Sequence, residues 1–220
     1  MSGIRQTIAK RLQAAKQDIP HYRLFADVRI DALLDYRREL NNKTPDMDIS
    51  VNDLLIKACA MALQQVPECN VQLHGDHIRQ FSNADIAVAV AIDEGLITPI
   101  ITGANRKTIE QIAIESADLI RRARGGGLKQ HEYEGGSFTL SNLGMFGVRQ
   151  FDAIINPPQC AILAVGKGEP RAVVDNGNIT VATVMSMTLS LDHRVIDGRT
   201  GARFLQTLTS IIETRVQSKQ

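Results

Sequence analysis

Apolar residues recur along the chain at two spacings, and each spacing predicts a kind of element. Ile4, Ile8, Leu12 and Ala15 stand about a helical turn apart, with Arg5, Lys10, Arg11 and Lys16 on the other faces, which predicts an amphipathic helix. It ends at Asp18-Ile19-Pro20, because the residue before a proline is pushed out of the helical region. From Tyr22 to Ile30 the pattern alternates, with Tyr22, Leu24, Ala26, Val28 and Ile30 on one side and Arg23, Asp27 and Arg29 on the other, as in a half-buried strand. Asp31 opens a helix to about Leu40, and 41–49 reads as a polar loop. Ser50 with Asp53, and Thr108 with Gln111, have the form of capping boxes. The first opens a strongly apolar helix ended by Pro67. The second opens a helix with Ile109, Ile112, Ala113, Ser116 and Ile120 on one face, stopped by Gly125-Gly126-Gly127. Strands are predicted over 78–80, 85–92, 96–101, 137–141, 160–165 and 183–191, the last two apolar enough to be central. Asp175-Asn176-Gly177-Asn178 predicts a hairpin turn between 172–174 and 179–181. A final helix over 199–217 uses Ala202, Leu205, Leu208, Ile211 and Ile212. Interleaved helices and strands with hairpins among them predict an α/β chain with a mixed sheet flanked by helices.

Composition narrows the class without naming a function. A length of 220 residues fits one large domain. Lys plus Arg number 25 and Asp plus Glu 24, a net charge of +1, so no global field steers the chain to nucleic acid or an acidic membrane. Aromatic residues are 4% with no Trp, so the core is aliphatic and stacking platforms for single-stranded nucleic acid are not expected. Cys59, Cys69 and Cys160 form no C-x-x-C pair, which argues against a disulfide framework or a zinc site and for buried thiols. No apolar run reaches the roughly 20 residues that span a bilayer, and the charged N-terminus lacks a signal-peptide core. The expectation is a cytoplasmic protein with no membrane or nucleic-acid partner.

Chemistry concentrates in two segments. In Leu189-Ser190-Leu191-Asp192-His193-Arg194-Val195-Ile196-Asp197-Gly198 an apolar strand runs into a helix, and such junctions often carry function on a rigid scaffold. Histidine is the one side chain whose unperturbed pKa suits proton transfer near pH 7, so His193 is the candidate, and Asp197 is a carboxylate to orient it or to brace the loop. No third ligand follows at metal spacing. In Gly135-Gly136-Ser137-Phe138-Thr139-Leu140-Ser141-Asn142-Leu143-Gly144-Met145-Phe146-Gly147 a strand runs into a glycine-rich turn with hydroxyls, which can stabilise an oxyanion or simply form a hairpin. Neither a P-loop, a dinucleotide fingerprint nor a serine-hydrolase elbow is present. Asn156-Pro157-Pro158-Gln159 reads as a rigid turn.

Taken together these stretches resemble the catalytic domain of the dihydrolipoamide acyltransferases, the core components of 2-oxo acid dehydrogenase complexes. The resemblance is carried in order by 4–12, 19–28, 50–58, 66–70, 95–101, 135–147, 155–166 and 190–198, and looks most like the acetyl-specific branch of pyruvate and acetoin complexes. It implies a chloramphenicol acetyltransferase-like fold, one catalytic domain over 1–220, and a homotrimer with active sites between subunits. The implied reaction exchanges acetyl between S-acetyldihydrolipoamide and coenzyme A. His193 is the implied general base, Ser141 the oxyanion donor and Asp197 the brace of the active-site loop. Arg106 and Lys107 are candidates for the coenzyme A phosphates, with Asn142 and His21 as further candidate contacts. The implied partners are a lipoyl domain, a 2-oxo acid or acetoin dehydrogenase and a dihydrolipoamide dehydrogenase. The lipoyl and peripheral-subunit-binding domains of full-length relatives are not in this sequence, so the lipoamide is expected on a separate domain or chain. The polar ending over 215–220 predicts a trimer rather than a larger cage. A stand-alone chloramphenicol-type acetyltransferase and an inactive scaffold subunit are the alternatives.

Overall fold

The computed structural model describes residues 3–92, 95–214 and 216. The tail expectation over 215–220 lies, Val216 apart, outside them, as does the side chain of Ile4. Helix α1 (Gly3–Asp18) leads into strand β1 (His21–Arg29), then helices α2 (Asp31–Lys43) and α3 (Val51–Gln65). Six short strands follow: β2 (Val71–His74), β3 (His77–Gln80), β4 (Ile86–Val88), β5 (Val90–Ile92), β6 (Gly95–Ile97) and β7 (Ile100–Ile101). Helix α4 (Ile109–Arg124), strands β8 (Phe138–Asn142), β9 (Ala161–Asp175) and β10 (Asn178–Asp192) and helix α5 (Gly198–Thr214) complete the chain.

The main sheet has the order β1-β10-β9-β8-β4-β7. It is mixed: β8 runs parallel to both β9 and β4, and the other neighbours are antiparallel. Alternation decides its faces. Leu140, Leu163, Leu189 and Val28 point into the main core with α2 to α5, and Phe138 packs its ring on Phe204 of α5 with centroids 5.4 Å apart. Ile162, on the reverse face, packs with Ile155 and with Ala15 and Ile19 at the end of α1. Both predicted capping boxes form, Ser50 with Asp53 and Thr108 with Gln111, so two helix starts follow from local chemistry.

Three strand expectations are corrected. The run 85–92 is two strands, because the chain leaves the main sheet after Val88, and β5 pairs with β6 instead. The run 96–101 is broken at Pro99, which has no N–H for a ladder. The four pieces around Asn176-Gly177 are two long strands of 15 residues each, β9 and β10, turning where Asn176 and Gly177 take φ of 48° and 82°. Strand β2 was not foreseen; it pairs with β3 across Gly75-Asp76.

Helix α5 lies close on β1 and β10 because Gly201 has no side chain. A Cβ there would stand 2.6 Å from the Tyr22 hydroxyl and would collide with Leu191.

Candidate active site

Strand β10 leaves the sheet at Asp192, and His193 is the next residue. The turn that carries it is closed by its neighbours. Asp192 is 1% exposed, and its carboxylate accepts from Arg194 Nη2 at 2.7 Å and from the Arg194 backbone N–H at 3.0 Å. Val195 and Ile196 donate backbone N–H groups to the Asp192 carbonyl, and His193 donates its own to Pro20 O at 3.2 Å. The His193 side chain stays exposed, with its ring against Tyr22 at a centroid distance of 4.6 Å and an interplanar angle of 53°. Tyr22 is fixed in turn: its hydroxyl donates to Asp197 O at 2.7 Å. Burial, reinforced by Cys69 and Asp197, pushes the Tyr22 phenol up to about 12, so it keeps its proton and its donor role near neutrality.

Asp197 does not reach the imidazole by any hydrogen bond among the described residues. Its Oδ1 accepts from the Thr200 backbone N–H at 2.7 Å, which makes it the N-cap of α5. That backbone bond, with the Thr200 side chain and Arg199 adding to it, holds its carboxyl below the ordinary carboxylate range. Asp197 therefore caps α5, and the aromatic contact of the His193 ring is with Tyr22.

Ser141 stands elsewhere. It is level with Ala164 on β9, and Ala164 is level with Thr188 on β10. His193 lies beyond Asp192, five residues past Thr188 along β10. At a strand rise near 3.3 Å, the register separates the two residues by roughly 15 Å along the strands and by two strand spacings of about 4.8 Å across them. One chain therefore does not bring His193 and Ser141 together. The Ser141 hydroxyl is half-buried and makes no hydrogen bond to the described residues. Asn142 is spent on structure: its Nδ2 donates to Asn52 Oδ1 at 2.8 Å and its Oδ1 accepts from Gly144 N–H at 2.8 Å.

The remaining candidates also separate. His21 is committed at both nitrogens, Nδ1 donating to Ile19 O at 2.8 Å and Nε2 accepting from Ile155 N–H at 2.9 Å, so neither nitrogen is left for a ligand. It joins the chain end of α1 to 155 instead of lining a site. Arg106 and Lys107 follow β7, at the edge of the sheet opposite β1. Lys107 pairs with Glu115, and the Arg106 guanidinium folds over Gly103. Their loop is held from below by Lys57, 4% exposed, whose Nζ donates to Asn105 O at 3.0 Å and Lys107 O at 2.7 Å. Burial pulls the Lys57 ammonium below its usual range.

Sequence reading missed Tyr22, Asn52 and the Asp192–Arg194 pair. Only the last had a local signal, an Asp two residues before an Arg. Tyr22 and Asn52 meet their partners across β1–β10 pairing and across the α3–β8 junction. Among the described residues no helix is long and apolar enough to cross a membrane, and no group of three or more His, Cys, Asp or Glu side chains is placed to hold a metal ion.

The profile of the 2-oxoacid dehydrogenases acyltransferase (catalytic domain) matches residues 1–218. The chain is 50% identical over 215 residues to the dihydrolipoyllysine-residue acetyltransferase component of the pyruvate dehydrogenase complex of Zymomonas mobilis, covering 97% of this chain and 49% of that one. It thus spans about half the length of the curated relatives it matches. Its fold is shared with a probable dihydrolipoamide acetyltransferase of Listeria monocytogenes (TM-score 0.92, 36% identity, 97% of this chain and 93% of that). It is shared equally with the dihydrolipoamide acetyltransferase of Azotobacter vinelandii (TM-score 0.93, 31% identity, 97% and 89%). A chloramphenicol acetyltransferase, 13% identical with a TM-score of 0.57 over 92% and 94%, has the same fold and supports the expected architecture alone. The chain belongs to the acyltransferase catalytic domains of the 2-oxoacid dehydrogenases.

Proposed function

We propose that this chain transfers acetyl groups between S-acetyldihydrolipoamide and coenzyme A as the acyltransferase core of a pyruvate dehydrogenase complex. The observation that carries the reading is the exposed imidazole of His193, held on a closed turn against Tyr22 at the end of a buried strand. A thiol is a weak nucleophile until it is deprotonated, since free thiols titrate near 8.5. His193 takes the proton from the incoming thiol. The thiolate attacks the thioester carbonyl carbon, and the carbonyl electron pair moves to oxygen. The tetrahedral intermediate then collapses, the old carbon–sulfur bond breaks, and the leaving thiolate recovers the proton from the imidazolium. No covalent enzyme intermediate is needed, because substrate and product are both thioesters.

The oxyanion needs a donor, and Ser141 is the candidate. Because Ser141 of the same chain is distant, the donor comes from Ser141 of the partner subunit, which fits a trimer with a site at each interface. In the Azotobacter vinelandii protein a serine, a histidine and an asparagine were investigated for their role in the catalytic mechanism. That serine and histidine are as far apart in sequence as Ser141 and His193, and the asparagine lies four residues past the histidine, where this chain has Asp197. Arg106 and Lys107 remain the proposed phosphate contacts, reached by coenzyme A across the interface. Lipoyl domain, pyruvate dehydrogenase and dihydrolipoamide dehydrogenase are the proposed partners, and the cytoplasm the proposed compartment.

The test is acetyl transfer from acetyl-CoA to dihydrolipoamide, with free coenzyme A followed by chromatography. His193→Ala is expected to lose at least about 10²-fold, as for a positioned general base. Wild-type activity in that variant removes His193 from the mechanism. Chloramphenicol in place of dihydrolipoamide serves as the acceptor control.

A further inference from the structure

Directly after Ser141-Asn142 the chain makes a short 3₁₀ turn, Gly144–Phe146, whose apolar side chains point into solvent: Met145 is 71% exposed and Phe146 68%. The turn is held rather than loose. Gly144 N–H donates to Asn142 Oδ1 at 2.8 Å, Phe146 N–H to Leu143 O at 3.0 Å, and Gly147 closes it with a φ of +78°. Behind it the chain is clamped to β9: Lys167 N–H donates to Val148 O at 2.7 Å, and a Cβ on Gly144 would stand 2.8 Å from Gly166 O. A fixed tip that shows two large apolar groups to water is unfavourable in a lone chain.

The same tip sits at the end of the sheet that lacks the histidine. The site is incomplete without a second copy, and whatever brings Ser141 to the partner's His193 also brings residues 143–147. At the His193 end an exposed apolar side chain stands ready to receive it. The β2–β3 hairpin is tied there through Leu73 N–H to Pro158 O at 2.9 Å, and its Ile78 is 57% exposed. We propose that Met145 and Phe146 form a clasp that seats on a second copy of this chain, at the end of its sheet bearing His193, and so sets the reach of Ser141. This rests on the shared-site reading above and names the contact that makes it.

The test uses the whole chain with Met145→Ser and Phe146→Ser, singly and together, in light scattering, circular dichroism and acetyl transfer. The double variant is expected to keep its dichroism and to fall to the mass of one chain at concentrations where the wild type is assembled. Its activity is expected to fall at least about 10²-fold and to recover as protein concentration rises. A double variant that stays assembled overturns the clasp. Should that variant unfold, Phe146→Cys reads the same contact, since Cys59, Cys69 and Cys160 are buried. A maleimide is expected to label it slowly when assembled and fast on dilution, and equal rates overturn the clasp. The shared site fails separately: it falls if His193→Ala and Ser141→Ala chains do not complement, whereas complementation with an assembled double variant sinks the clasp alone.

Discussion

Two inactive variants of this chain should restore each other. His193→Ala removes the proposed base and leaves the proposed oxyanion donor Ser141; Ser141→Ala does the reverse. Each alone leaves every site with one group missing, with losses of at least about 10²-fold for a general base and for an oxyanion donor. The register places the groups roughly 15 Å apart along the strands of one chain and two strands aside, too far for both to touch one thioester carbonyl. If each site takes its histidine from one subunit and its serine from the next, random mixing makes a complete site whenever a Ser141→Ala chain supplies the histidine and a His193→Ala chain the serine. At equal amounts that is one half times one half, so about a quarter of wild-type sites return in any closed ring. The assay co-expresses the two variants, or denatures and refolds them together, and measures acetyl transfer per total protein. Mixing the separately assembled variants without exchange is the baseline. Recovery no higher than that baseline would falsify the shared site.

Three further outcomes follow from the geometry. Gly201→Ala drives a methyl group into Leu191 and the Tyr22 hydroxyl, so it should destabilise by about 1–3 kcal/mol by thermal or denaturant unfolding and lower kcat as Tyr22 leaves the His193 ring; full activity at wild-type stability contradicts the close approach. Tyr22→Phe keeps the ring and loses one hydrogen bond, and Asp197 O still accepts from Gly201 N–H, so the cost should be about 0.5–1.5 kcal/mol with most activity kept, whereas Tyr22→Ala should lose activity more steeply. Burial pushes the thiols of Cys59, Cys69 and Cys160 up to about 12, like the Tyr22 phenol. Folded pKa values above unfolded ones mean that this stability is complete below the unfolded thiol pKa near 8.5 and is lost as pH climbs towards 12. Melting temperature should therefore drop through that window, and Cys59→Ala should shallow the drop; a flat alkaline profile refutes the assignment.

What was legible in the sequence was what local chemistry decides. Capping boxes at Ser50 and Thr108, the Asn176-Gly177 turn and the α5 stripe of Leu205, Leu208, Ile211 and Ile212 each need only neighbours in sequence, and each formed, while Ala202, read into that stripe, is exposed. The break after Val88 was not legible, because an alternating run does not say that Ala89 N–H will go to Leu140 O. The site divided in the same way. His193 could be singled out as a candidate because its chemistry is written in its own segment. Its partner Tyr22 was not, since only β1–β10 pairing brings that ring to it. Asp197 was near enough in sequence to suggest an orienting carboxylate, and the cap of α5 claimed it first.

Consider finally the two ends of the sheet on which His193 and Ser141 stand. With the proposed shared site, a newly made chain, folded but solitary, would hold half a reaction centre at each end and complete neither. Its turnover near the assembly threshold should rise more steeply than its concentration. Acetyl thioesters are energy-rich and lose that energy if hydrolysed, and a polypeptide with the proposed arrangement would stay silent towards them until a second copy joins it.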